Sequence, residues 1–97
     1  MIRIVKLTFK EEHILDFKLL FETRKELIRT QEGCSHLALW QDNKEARIFY
    51  TYSIWHEELD LNRYRDSDLF SDTWTIVKQW FADKPIAFSA NEIISLS

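Results

Sequence analysis

Aromatic side chains dominate the stretch from Ile48 to Trp74, and they could outline a site for a flat ligand. The segment IFYTYSIW has the composition of a strand that ends on Trp55, and two short helices are predicted after it. The second of these helices carries Phe70 and Trp74 toward the interior. Because an aromatic strand that faces an aromatic helix can enclose an apolar pocket, this stretch is the first candidate for a functional site.

Trp74 fits two interpretations. It could be a core aromatic on a helical stripe with Phe70, or a pocket wall whose indole stacks a flat aromatic molecule and donates a hydrogen bond. Tyr64, at the end of the preceding helix, could offer its phenol to a substrate oxygen or simply place its hydroxyl at the surface. Together with Trp55, these residues are the predicted aromatic walls.

Two hydroxyl side chains on the central strands are candidates for polar contacts with a substrate. Thr51 and Ser53 share a strand face with Phe49 and Trp55, so they would line the pocket if that face meets the helices. Buried hydroxyls usually have partners, and a bond to the backbone is the alternative interpretation.

His36 is a candidate general base, because an imidazole with an ordinary pKa of about 6.5 could remove a proton from a phenol. Strand alternation places it on the face of Tyr50 and Tyr52 instead of the face of Thr51. A hydrogen-bonded histidine at an interface is therefore the alternative interpretation. A one-residue shift in strand pairing would exchange His36 with Leu37 as a pocket residue.

Composition argues against several classes of function. The net charge is −3, and the 13 Lys and Arg are scattered, unlike the basic cluster of a nucleic-acid interface. The three His and the single Cys34 lack paired metal-ligand spacing, and one cysteine cannot close an internal disulfide. No apolar run approaches the roughly 20 residues that span a bilayer, and the N-terminus lacks the features of a signal peptide. We expect a cytoplasmic protein that uses no metal and binds neither nucleic acid nor membrane.

The elements that must position these residues follow the order strand, helix, strand, strand, helix pair, strand. Apolar spacing predicts strands over 2–9, 34–41, 47–55 and 86–96, with helices over about 11–32, 57–65 and from Asp66 or Ser67 to before Lys84-Pro85. Gly33, the only glycine, falls where a helix C-terminus needs a left-handed residue. The order predicts a single α+β domain over residues 1–97, a ferredoxin-like split βαβ sandwich with a four-stranded antiparallel sheet.

Both faces of the central hairpin are apolar. One face carries Leu37, Leu39, Phe49, Thr51 and Trp55, and the other carries His36, Ala38, Trp40, Ile48, Tyr50, Tyr52 and Ile54. Right-handed crossovers put both helical connections on one face, so the other face would be bare. An apolar patch of roughly several hundred Å² is unusual on a monomer. We therefore predict a two-fold homodimer with the sheets packed face to face.

With these elements the chain resembles the antibiotic biosynthesis monooxygenase family of dimeric α/β-barrel proteins. The resemblance rests on the opening strand RIVKLTF, the helix that ends before Gly33-Cys34, the strand that ends in Trp55, and the segment from Tyr64 to Phe70. It implies a pocket between the helices and the sheet of each subunit. It also implies oxygenation of quinols or anthrones without a metal or a flavin.

The same resemblance argues against the haem-degrading branch of the family. That branch has an asparagine where Val5 stands, a tryptophan where Tyr64 stands, and a haem-ligating histidine where Trp74 stands. Because an indole cannot ligate iron, haem oxygenation is not expected. Val5 remains among the predicted pocket residues.

Three hypotheses follow. The first is a cofactor-independent monooxygenase acting on a small electron-rich aromatic, such as a quinol, phenol or anthrone, with a proton acceptor and orientation supplied by the pocket. The second is a non-catalytic dimer that binds a small aromatic or apolar metabolite, and the third is a structural dimer whose pocket is filled by Trp74 and its neighbours. The predicted catalytic residues are His36, Tyr64 and Trp74, and the predicted pocket residues are Val5, Thr51, Ser53, Trp55 and Phe70.

Overall fold

The computed structural model describes all 97 residues, which form a four-stranded antiparallel sheet with helices on one face. The strands are β1 (Ile2–Thr8), β2 (Cys34–Gln41), β3 (Ile48–Trp55) and β4 (Ile86–Ala90), in the spatial order β2-β3-β1-β4. The helices are α1 (Ile14–Arg29), α2 (Glu58–Arg65) and α3 (Asp68–Val77), and 3₁₀ turns over Glu11–His13 and Lys78–Trp80 flank α1 and α3. The predicted ferredoxin-like α+β arrangement is confirmed.

The residues on each face of the sheet are those that strand alternation predicts. On the face toward the helices the neighbours across the sheet are Leu37–Ser53–Arg3–Ser89 and Leu39–Thr51–Val5–Ala87. On the other face, which we call the open face, they are His36–Ile54–Ile2–Ala90, Ala38–Tyr52–Ile4–Phe88 and Trp40–Tyr50–Lys6–Ile86. No helix covers the open face.

The core between helices and sheet is split into two clusters. The larger consists of Leu7, Phe9, Phe17, Phe49 and Val77, and the smaller consists of Cys34, Trp55 and Leu61. Phe9 is fully buried and stacks on Phe17 with ring centroids 4.3 Å apart. Burying a side chain of this size stabilises the fold by about 1.5–3 kcal/mol. The two clusters hold the helices on the sheet at separate points.

Gly33 fixes the point at which α2 begins. Its φ of +83° lies in the left-handed region, as predicted, and a Cβ there would collide with the side chain of Asp60. Asp60 is needed in that place because its Oδ2 accepts a hydrogen bond of 3.1 Å from the Glu57 backbone N–H, as part of a capping box. The backbone N–H of His56 also donates to the Gly33 carbonyl at 2.7 Å.

Ser67 separates the two short helices and sets the angle between them. Of the two predicted N-cap residues it is the one that caps α3, because its Oγ accepts from the Phe70 backbone N–H at 3.2 Å. The same hydroxyl donates to the Tyr64 carbonyl at 2.6 Å. One serine therefore fixes Tyr64, near the end of α2, relative to Phe70, in the first turn of α3.

The last strand is shorter than the sequence pattern indicates. A strand up to Leu96 was predicted, and this is wrong because β4 ends at Ala90. Ala90 pairs with Ile2 at the start of β1, so the residues that follow have almost no neighbouring strand to pair with. Ile93, Ile94 and Leu96 are accordingly exposed, at 88%, 77% and 90% of their surface. None of the helices combines the length and the apolar character needed to cross a membrane.

Candidate functional site

A cavity of about 390 Å³ lies between the helices and the sheet. It falls within the range of small-molecule sites, about 300–1,000 Å³, and 13 of its 19 lining residues are hydrophobic. Residues of both core clusters, such as Phe17 and Leu61, contribute to its walls. At about 30 Å³ per molecule the space equals roughly a dozen waters, so the side chains of the two layers do not fill the interior. This argues against the hypothesis of a filled, purely structural pocket.

One wall of the cavity is a continuous series of aromatic rings. Trp55 and Tyr64 stack with centroids 5.3 Å apart and planes 20° from parallel. Tyr64 meets Phe70 edge to face at 5.3 Å, and Phe70 stacks on Trp74 at 5.7 Å with planes only 8° apart. Because β3, α2 and α3 each supply part of the series, the Ser67 cap and the Gly33 turn position the wall as a whole.

The structure brings together seven of the eight predicted site residues. Those that line the cavity are Val5, Thr51, Ser53, Trp55, Tyr64, Phe70 and Trp74. His36 is the exception: it lies on the open face, where its ring meets that of Tyr52 at 5.5 Å. The sheet therefore separates the imidazole of His36 from the cavity, and its predicted role as a general base has no support from the geometry of this site.

Trp55 and Ser53 form a buried polar pair on β3. The indole Nε1–H of Trp55 donates to Ser53 Oγ at 2.9 Å, and the two residues are 1% and 7% exposed. A serine hydroxyl can donate one hydrogen bond in addition to those that it accepts. The hydroxyl hydrogen of Ser53 has no acceptor within the protein, so it is free to bond a ligand.

Tyr64 is a neutral hydrogen-bond donor at the cavity wall. Burial, and to a lesser extent the neighbouring Cys34, raises the pKa of its phenol to about 12. Burial also raises the pKa of the Cys34 thiol. Both groups therefore stay protonated at neutral pH, and Tyr64 cannot serve as a base there. Its hydroxyl makes no hydrogen bond within the protein.

Thr73 was missed by the sequence reasoning. It lines the cavity, and its Oγ1 is buried without a hydrogen-bond partner. A threonine in a helix usually bonds the carbonyl four residues earlier, as Thr75 does with Ser71 at 2.8 Å. The spacing of Thr73 from Phe70 and Val77, three and four residues, is the signal that could have placed it on the buried side of α3.

Arg3 and Arg65 were also missed, and both line the cavity. Arg3 lies one alternation step from Val5 on β1, and Arg65 is the last residue of α2. The lining contains no histidine, carboxylate or lysine, so these two guanidinium groups are its only ionisable groups besides Tyr64. No group of three or more His, Cys, Asp or Glu side chains is arranged to hold a metal ion anywhere in the structure.

Residues 1–75 match the family model described as antibiotic biosynthesis monooxygenase. Solved structures share the fold: a conserved protein from Methanosarcina mazei is 23% identical, with 90% of this chain and 87% of that chain covered, at a TM-score of 0.84. A protein from Nitrosomonas europaea, provisionally named an antibiotic biosynthesis monooxygenase, is 15% identical. The match covers 96% of this chain and 98% of that chain, at a TM-score of 0.89. Rv0793 from Mycobacterium tuberculosis is 11% identical, with 99% of this chain and 97% of that chain covered, at a TM-score of 0.88.

No curated protein matches the chain. At such identities the solved structures establish the fold alone, whereas the family match extends over most of the sequence and includes β1, α1, the β2–β3 hairpin, α2 and most of α3. This chain belongs to the antibiotic biosynthesis monooxygenase family.

Proposed function

We propose that this protein is a cofactor-independent monooxygenase of a small electron-rich aromatic, of the quinol, phenol or anthrone type. The observation that carries the proposal is the cavity itself, which combines an aromatic wall with hydroxyl and indole groups whose hydrogens have no acceptor in the protein. These donors are Thr51 Oγ1, Ser53 Oγ, Tyr64 Oη, Thr73 Oγ1 and Trp74 Nε1. Membership of a family named for monooxygenases supports the reaction class.

The substrate supplies the electrons in this reaction. A phenol or anthrone that loses a proton becomes an electron-rich anion, which can pass electrons to O₂. For an anthrone, one oxygen atom replaces the two hydrogens of the oxidised carbon and the other leaves as water. The protein must then bind the substrate, orient it and favour its anionic form.

The donors of the cavity suit the anionic form of such a substrate. A hydrogen bond to an oxygen anion stabilises that anion and lowers the pKa of the group that forms it. Tyr64 and Trp74 are donors in a mostly apolar setting, where each bond is electrostatically stronger than in water. Since the lining has no histidine or carboxylate, the proton leaves to water in our proposal and not to a side chain.

The lack of a general base in the lining also favours a second candidate function. A protein that only binds an oxygenated aromatic needs the same wall and the same donors, but no route for a proton. The two functions differ in turnover: the oxygenase consumes O₂ in proportion to substrate, whereas the binding protein is stabilised by the ligand and consumes none.

We further propose that the functional unit is a homodimer that packs open face against open face in the cytoplasm. The open face carries exposed rings and aliphatic side chains, including Trp40, Ile86 and Phe88 at 46%, 56% and 50% exposure. Charged residues are nearly absent from it, with Lys6 the exception among the paired positions. A second copy of the chain offers the same apolar surface, as a two-fold contact requires.

Oxygen uptake by chelator-treated protein, measured against a panel of quinols, anthrones and polyphenols, tests the assignment. We expect uptake above spontaneous autoxidation, and Trp74→Ala should lower it at least about tenfold because a stacking surface is lost. Trp74→Phe is the matched control, since it keeps one aromatic ring for stacking but removes the N–H and the second ring of the indole. Uptake unchanged in Trp74→Ala would contradict the role of Trp74. Ligand-induced stabilisation with no uptake across the panel would favour the binding protein.

A further inference from the structure

Two arginines stand together at one end of the cavity. Arg3 neighbours Ser53 across the β1–β3 pair and Ser89 across the β1–β4 pair, and its Nη1 donates to Ser89 Oγ at 3.1 Å. Arg65 follows Tyr64 at the end of α2. Because β1 runs from Arg3 toward Leu7 and the large core cluster, the two guanidinium groups lie at the end of the cavity opposite Phe17 and Val77.

Neither of these arginines has a carboxylate partner. Two of the four other arginines do: Arg47 pairs with Glu45 at 3.1 Å, and Arg63 pairs with Glu32 and Asp60 at 3.1 and 3.0 Å. No Asp or Glu oxygen lies within 4 Å of a nitrogen of Arg3 or Arg65. Arg3 is half-buried and Arg65 is exposed, so water solvates both charges in part, but no carboxylate neutralises either of them by direct pairing.

The electrostatic setting of Arg3 agrees with this geometry. Partial burial lowers the pKa of its guanidinium, and the charge of Arg65 lowers it further. Glu58 acts in the opposite sense, but it lies outside the cavity lining. A guanidinium nevertheless stays charged at neutral pH, so this end of the cavity is positive.

We propose that the ligand of this cavity is an aromatic carboxylate whose carboxylate group is bound between Arg3 and Arg65. The guanidinium fork matches the two oxygens of a carboxylate, and its bonds to an anion are among the stronger ones in proteins. The aromatic body of the ligand then extends along the wall from Tyr64 to Trp74. This inference rests on the proposed function and narrows its substrate class to electron-rich aromatics that carry a fixed acidic group.

Titration calorimetry at pH 7.5 with two probes tests the inference separately from catalysis. The probes are 6-hydroxy-2-naphthoate and 6-hydroxy-2-naphthamide, which have nearly the same shape and differ in charge. We expect the acid to bind at least about tenfold more tightly than the amide, and Arg65→Gln or Arg3→Gln to remove that preference while leaving amide binding in place.

Arg63→Gln is the matched control, because Arg63 lies on the same helix but pairs with Glu32 and Asp60 and does not line the cavity. It should leave both affinities unchanged. Equal binding of acid and amide to the unaltered protein would overturn the inference, as would a preference for the acid that survives both arginine substitutions. Either result leaves the oxygenase proposal standing, since that depends on oxygen uptake.

Discussion

The two faces of the same sheet differ in the size of the side chains that they carry. On the face toward the helices, small side chains occupy neighbouring strands in the row Thr51, Val5 and Ala87. On the open face the adjacent row carries Tyr52, Ile4 and Phe88. The cavity therefore exists because short side chains on the sheet lie under aromatic ones on the helices, whereas large rings on the open face leave no comparable hollow.

The faces also differ in how their polar atoms are satisfied. On the open face the Tyr50 hydroxyl donates to Asp42 Oδ1 at 3.2 Å, and Asp42 in turn accepts from the hairpin backbone. On the other side of the sheet, Tyr64 of α2 and Thr73 of α3 carry hydroxyl groups without protein partners. Buried polar groups are usually hydrogen-bonded, so this contrast supports the proposal that the cavity, and not the open face, binds a ligand.

Filling the cavity should have the largest effect, and that effect is on oxygen uptake and probe binding. Thr51→Phe places a ring over the floor of the site, and we expect oxygen uptake and probe binding to fall by about 100-fold or more because the substrate is displaced from its productive position. Tyr52→Phe, one residue along β3 on the open face, is the matched control and should retain both. Full activity in Thr51→Phe would show that the chemistry takes place elsewhere.

Placing a charge on the open face should have the next largest effect. Phe88→Asp would bury two carboxylates near each other in a face-to-face dimer, so we expect the dissociation constant of the dimer to rise by about 100-fold. Analytical ultracentrifugation measures this directly. Asn91→Asp, just beyond the end of β4, carries the same charge and should not weaken association. An unchanged dimer, or a monomeric parent protein, would contradict the proposed interface.

The smallest expected effect is on the stability of the fold at alkaline pH. Because the folded-state pKa of Tyr64 is raised to about 12 from an ordinary value of 10.0, its contribution to stability is complete below pH 10. That contribution is lost as the pH rises toward 12, since the unfolded chain ionises first. Denaturant unfolding followed from pH 9 to 12 should show a shallower decline in Tyr64→Phe than in the parent. Parallel curves would mean that the phenol is not buried in solution.

Sequence patterns were sufficient for the fold and for seven of the 19 residues that line the cavity. Strand alternation is a strict two-residue period, so once Phe49 and Trp55 point to the core, Thr51 and Ser53 must follow. The same rule places His36 on the open face, where the structure also has it. The end of β4 could not be derived, because it depends on where β1 begins and not on local composition.

The two arginines and Thr73 show what sequence reasoning misses. A search for reactive side chains favours histidine, cysteine and acidic pairs, and none of these lines the cavity. Arg65 lies at a helix C-terminus, where the helix dipole favours a cation in any protein. Its position therefore does not mark it as a ligand-binding residue. Whether such a residue has a partner depends on distances between elements that only a three-dimensional structure provides.

The four tryptophans report on three parts of the molecule. Trp40 lies on the open face, Trp80 stacks on His13 with centroids 5.5 Å apart, and the cavity wall contains Trp74 and the buried Trp55 of the smaller core cluster. Chains that retain one indole and replace the other three with phenylalanine would emit from a single known environment. Fluorescence from Trp40 would then follow subunit association while that from Trp74 follows ligand entry, so the two faces can be observed independently in one protein.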